Sequence, residues 1–134
     1  MKRLLFALFF AAALTLPAQA KEKANTVLIH PGETLYASFE VKGTKLKLVS
    51  FSKVKVDSAQ LVISLLPDEK KPANTLKLEN KFPRDLHYHM EMRSLVRKQH
   101  FARETIPVVT GKLALEIMPK EADELALSDF KLEK

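Results

Sequence analysis

Two imidazoles one residue apart, His87 and His89, are the side chains in this sequence best suited to chemistry. In an extended strand, residues two apart share a face, so both rings project together and Glu91 joins them one step further on. Two histidines and a carboxylate suit zinc or copper(II). His87, His89 and Glu91 are therefore the candidate metal ligands, for Cu or Zn, in an alternative reading; the leading expectation is no cofactor. Leu86, Tyr88, Met90 and Met92 alternate with them and belong on the opposite face, where the methionines act as core filler. A second candidate follows directly: Arg93, Arg97, Lys98, His100 and Arg103 gather around Phe101. Arginine grips carboxylates and phosphates through parallel hydrogen bonds, and a neighbouring ring adds packing surface. These six residues form the expected partner-binding site.

Other chemistries lack their residues. The chain contains no cysteine, which removes thiolate metal sites, iron–sulfur clusters and thiol catalysis. There is no G-x-S-x-G, no glycine-rich phosphate loop and no H-E-x-x-H. His30, just before Pro31, reads as the end of a first strand. No catalytic residue is assigned, and the expectation is a protein that is not an enzyme.

The 134 residues leave room for one domain preceded by a targeting segment. Met1-Lys2-Arg3 is a charged start, Leu4–Leu16 is apolar, and Ala18 and Ala20 satisfy the small-residue rule for cleavage. A signal peptide over Met1–Ala20, cut after Ala20, is expected. Its apolar run of about 13 residues is short of the roughly 20 that span a bilayer. The product over 21–134 should then be periplasmic, or secreted further, with no transmembrane segment. Of 22 Lys+Arg and 16 Asp+Glu, only Lys2 and Arg3 leave with the signal, so the product carries a net +4. That field favours anionic partners. Nucleic acid is not expected, because an exported chain without a recognition motif has no route to it.

The elements that must position these residues are strands. Thr26–His30 is short and stops at Pro31-Gly32, and Glu33–Lys42 alternates cleanly. Lys45–Ser52 changes parity between Leu48 and Val49, which predicts a bulge or an exchange of faces. Gln60–Leu66 is uniformly apolar, as a central strand covered on both sides would be. Pro67–Asn74 is a polar loop. Leu76–Arg93 reads as two strands joined by a tight turn at Pro83-Arg84-Asp85. Ser94–Glu104 reads as a long basic loop with one helical turn. Thr105–Val109 and Lys112–Met118 are two further strands. Glu124–Leu132 closes the domain, with a bulge near Ser128-Asp129.

About 7–9 short strands with turn signals every 8–12 residues or so predict an all-β fold, an antiparallel two-sheet β-sandwich. This strand rhythm resembles the immunoglobulin-like sandwiches common in bacterial envelopes. The resemblance implies an immunoglobulin-like fold, without the cysteine and tryptophan hallmarks of antibody domains. The HYHMEM run also resembles the His- and Met-bearing runs of periplasmic copper carriers. The leading functional expectation is a binding protein for an anionic envelope component or an envelope protein. The alternatives are a copper- or zinc-binding protein using His87 and His89, and an inhibitor or accessory subunit of an envelope enzyme.

Overall fold

A computed structural model describes residues 25–134, so the expected signal segment Met1–Ala20 lies outside the described residues. Nine strands run through them: β1 Val27–Ile29, β2 Thr34–Lys42, β3 Lys45–Ser52, β4 Leu61–Asp68, β5 Ala73–Asn80, β6 Leu86–Ser94, β7 Gln99–Arg103, β8 Leu113–Pro119 and β9 Glu124–Leu132. All pairings are antiparallel, and the described residues form no helix. The strands make one curled sheet in the order β7-β6-β9-β3-β2-β4-β5-β8, with β1 added to β9. The two halves meet at a narrow join, the single β3–β9 pair Lys45↔Lys131.

Alternation explains which side chains enter the core. Leu76 and Leu78 of β5 are buried while Thr75, Lys77 and Glu79 stay half-buried, and β6 buries Leu86, Tyr88 and Met90 in the same way. These residues pack with Ile29, Leu35, Ile63, Leu65, Leu125 and Leu127 into one apolar cluster. Both expected bulges are present. In β3, Phe39 faces Leu48 but Ser38 faces Ser50, leaving Val49 as the extra residue. In β9, His87 faces Lys131 but His89 faces Ser128, and Asp129 takes a left-handed φ of 52°. The β9 bulge switches parity, so that Phe130 and Leu132 turn inward and Lys131 outward.

Four expectations change. Leu76–Arg93 is not a hairpin: β5 pairs with β4 and β8, whereas β6 pairs with β7 and β9. Between them the chain crosses from one half of the sheet to the other around buried Asn80. The Asn80 amide donates to Arg84 O at 3.0 Å and Val108 O at 2.9 Å, and its Oδ1 accepts from Phe82 N at 2.8 Å. Ser94–Glu104 is not a long loop with a helical turn. It is a tight turn leading into β7, with Lys98 at φ 53°, because Gln99–Arg103 returns along β6. Thr105–Val109 is no strand either, and meets β6 through the bridge Leu86↔Val108 and the Thr105 hydroxyl, which donates to Tyr88 O at 2.5 Å. Strand β4 is central, but its second face is only partly covered, and Leu66 is exposed.

Candidate anion-binding site

The expected metal ligands do not converge. His87 hydrogen-bonds Glu133 instead, and His89 is exposed opposite Ser128. Glu91 Oε1 accepts from Arg93 Nε at 2.9 Å and lies 2.7 Å from His100 Nδ1. Arg93 then His100 hold the Glu91 carboxyl below its ordinary range. Among the described residues, no three His, Asp or Glu side chains are placed to hold a metal ion.

Two members of the expected basic loop, Arg93 and His100, are paired with carboxylates. Arg93 is held between Glu91 and Glu124, whose Oε1 lies 3.1 Å from Nη1. Glu124 Oε2 faces His30 Nε2 at 2.8 Å, and Glu33 Oε1 faces His30 Nδ1 at 2.7 Å. Lys53 ends the chain 2.8 Å from Glu33 Oε2. Lys53, Glu33, His30, Glu124, Arg93, Glu91 and His100 thus form one alternating ribbon of charge. His30 is part of this ribbon and not simply a strand end.

The protonation states follow from the geometry. With a carboxylate on each ring nitrogen, His30 is best satisfied when both nitrogens carry protons. Partial burial works against that charge, but the bonds to Glu124 and Glu33 outweigh it and raise its pKa above 6.5. The Lys53 bond, with His30 behind it, lowers Glu33 to about 2. Burial opposes ionisation of Glu124 and Arg93, and their bonds within the ribbon outweigh it in both.

The remaining members of the loop diverge. Arg103 turns inward, with Nη1 at 3.5 Å from Ile117 O and 3.7 Å from Met118 Sδ. Arg97 and Phe101 line a cavity of about 190 Å³ floored by Met92 and Ala122. Phe101 is 52% exposed, because β7 overhangs the core. Around Arg97 stand Lys120, Glu121 and Asp123, a mixed rim of both signs.

A basic surface with more cations than carboxylates lies elsewhere, at the narrow join of the sheet. Lys42 pairs with Lys45 across the Gly43-Thr44 turn, where Gly43 has φ 64° as a type II′ turn requires. Lys45 stands directly opposite Lys131, and Lys131 directly opposite His87. Directly opposed residues share a face, so Lys42, Lys45, Lys131 and His87 form a row across four strands, about 14 Å long at the usual strand spacing. Beside it is a depression of about 400 Å³ floored by Leu46 and Phe130 and rimmed by Lys42, Lys45, Lys47 and Lys131. Glu40 and Asp129 are its only carboxylates among the described residues, and Glu40 reaches Lys42 at 3.6 Å. The floor is rigidly set: Phe130 packs on Phe39 at 5.0 Å between ring centroids, and Phe39 on Phe82 at 5.7 Å.

Like charges directly opposite each other on a sheet are unfavourable. The Lys45↔Lys131 pair therefore costs the fold something, and an anion placed over it removes that cost. The sequence carried part of this signal. Lys42-Gly43-Thr44-Lys45-Leu46-Lys47 puts three lysines on one face of a two-residue hairpin. Lys131 is 86 positions from Lys45 and could not be joined to them without the register.

The chain matches no known family model, no curated protein and no solved structure. Among the described residues, no helix is long and apolar enough to cross a membrane.

Proposed function

We propose that this is an exported, periplasmic, non-enzymatic binding protein that holds an extended anionic envelope component across the row Lys42–Lys45–Lys131. We read the curled sheet as an immunoglobulin-like two-sheet sandwich, folded along the join at Lys45↔Lys131, with the site on that fold line. One observation carries the reading: like charges stand in register across three strands beside a depression with too few carboxylates to balance them. The ligand chemistry that suits such a row is a run of phosphates or carboxylates. Lysine contributes point charges without fixed geometry, so the site selects charge density and spacing over a particular headgroup.

The test uses the full chain, expressed with its leader and purified after export. It is titrated with soluble polyphosphate and, separately, with vesicles containing an anionic phospholipid. Binding should weaken with salt. Lys45→Glu with Lys131→Glu should lower affinity about a hundredfold, at ~1.4 kcal/mol for each reversed charge. Polyphosphate binding without vesicle binding indicates a soluble polyanion; the reverse indicates a membrane surface. Equal binding by the double variant and the parent would refute this site.

A further inference from the structure

The exposed edge of the sheet at β8 inverts the usual pattern. Ala114, Glu116 and Met118 face inward, while Leu113, Leu115 and Ile117 face outward with 54%, 66% and 67% exposure. These three residues are also the ones with unpaired backbone. Asn80 N donates to Lys112 O at 3.1 Å, which makes Asn80 and Lys112 a hydrogen-bonded position of the β5–β8 ladder. Hydrogen-bonded and non-bonded positions alternate along an antiparallel pair. Ala114, Glu116 and Met118 therefore bond to β5, and Leu113, Leu115 and Ile117 direct their N–H and C=O groups along the free edge. Arg103 meets Ile117 O from that side. Edge strands normally carry outward charges or prolines that block further pairing. The outward positions between Lys112 and Pro119 carry none.

We propose that β8 pairs with β8 of a second copy of this chain, antiparallel about a two-fold axis at Leu115. In that register Leu115 faces Leu115 of the second copy, and each Leu113 faces the other's Ile117. All three pairs fall at positions whose backbone groups point to the open edge, and the long bond of 3.5 Å from Arg103 to Ile117 O is the one contact the new ladder replaces. Charge complementarity selects this occupant. Lys112 sits opposite Met118 of the second copy, which makes Glu116 of that copy its diagonal neighbour. Diagonal neighbours lie about 7–8 Å apart, within reach of a long side chain. Lys120, the other diagonal residue, lies beyond the strand in a turn. Glu116 Oε2 is buried and has no hydrogen-bond partner among the described residues. The two-fold axis supplies one twice over, from each Lys112. It also keeps the two Lys112 side chains about 20 Å apart, well beyond the screening length at physiological salt.

The experiment is sedimentation velocity on the exported full chain over a wide concentration range, with three variants. The parent should sediment as a dimer, and Leu115→Lys as a monomer with an unchanged circular dichroism spectrum. Lys112→Glu should weaken the dimer about tenfold, and adding Glu116→Lys should restore it. The chain has no cysteine, so Leu115→Cys offers an independent reading. Cα atoms directly opposed across a hydrogen-bonded pair are about 5.5 Å apart, with Cβ atoms at the wide end of about 4.5–5.5 Å and so too far apart for a relaxed disulfide, but a short bis-maleimide should link two copies. A parent that stays monomeric at every concentration would overturn the proposal and leave the edge to a different occupant. A dimer that survives Leu115→Lys, or a Leu115→Cys variant that does not crosslink, would overturn it equally. None of these outcomes depends on the lysine row.

Discussion

Two parts of this molecule gather positive charge, and they treat it in opposite ways. Around Arg93, each cation meets a carboxylate: Glu91 and Glu124 on Arg93, Glu124 and Glu33 on His30, Glu33 on Lys53. Around Lys45, cations face one another across the ladder. The first arrangement is what a fold does with charge it needs for its own cohesion. The second lowers cohesion, and it lies beside an open depression rimmed by lysines. Density of basic residues along the chain is therefore a poor guide to a binding surface, and the balance of charge after folding is a better one.

If that division is right, the two regions should fail differently. Arg93 and Glu124 are each only 13% exposed, so their pair is largely out of water. Arg93→Ala leaves Glu124 and Glu91 facing a gap, at a cost of about 2–3 kcal/mol. The melting temperature should fall by roughly 10 °C, while polyphosphate affinity stays within about twofold of the parent, since no ligand contact is lost. The opposite result, an unchanged melting temperature with lost affinity, would make the ribbon the binding surface and return the site to the β6–β7 turn.

What was legible from the sequence divides along the same line. Strand rhythm and both bulges could be read because they are local: Leu48-Val49 and Ser128-Asp129 break the period of two where it stands. The connection after β5 is not legible locally, because Pro83-Arg84-Asp85 has good turn chemistry whatever strands it joins. The decisive residue is Asn80, whose amide ties Val108 across 28 positions to form a crossing in place of a hairpin. The β7 strand was hidden by its composition, since Gln99–Arg103 has mostly exposed side chains and no buried face to set a period. The metal set assumed that shared-face neighbours are free to ligate, and Glu91 was already claimed by Arg93 and His100. Ion-pair partners from other strands are invisible until the register is known.

The ribbon should also give the fold a dependence on pH. The His30 pKa is raised by folding, so its contribution is fully present below 6.5 and is lost as pH rises through the folded value. Its side chain is 44% exposed, so solvent screens the effect and the loss should be about 1 kcal/mol or less. Urea midpoints taken between about pH 6 and pH 9 should decline in the parent and stay flatter in His30→Gln. The sign reverses on the acid side. Glu33, lowered from 4.5 to about 2, contributes above 4.5 and loses that contribution as pH falls towards 2. A parent whose stability rises between pH 6 and 9 would show that the two carboxylates do not hold the proton on His30.

The smallest effect is the sharpest test of the contrast, because it reverses the usual direction of mutation. Lys131→Gln keeps most of the side-chain length and removes one charge from the opposed pair. Relief of that repulsion should stabilise the protein by about 0.5 kcal/mol, seen as a higher urea midpoint. Salt should narrow the difference, since exposed like charges are screened once ions are abundant. The same substitution should weaken polyphosphate binding. Arg93→Ala, by contrast, should lose stability and keep affinity. A gain in stability joined to a loss of binding at one residue is the mark of a charge placed against the interest of the fold. If Lys131→Gln destabilises the protein instead, Lys131 is packed for cohesion, through its stem on Phe130 or a contact with its neighbours, and the row across β2, β3 and β9 is a structural feature with no ligand to explain it.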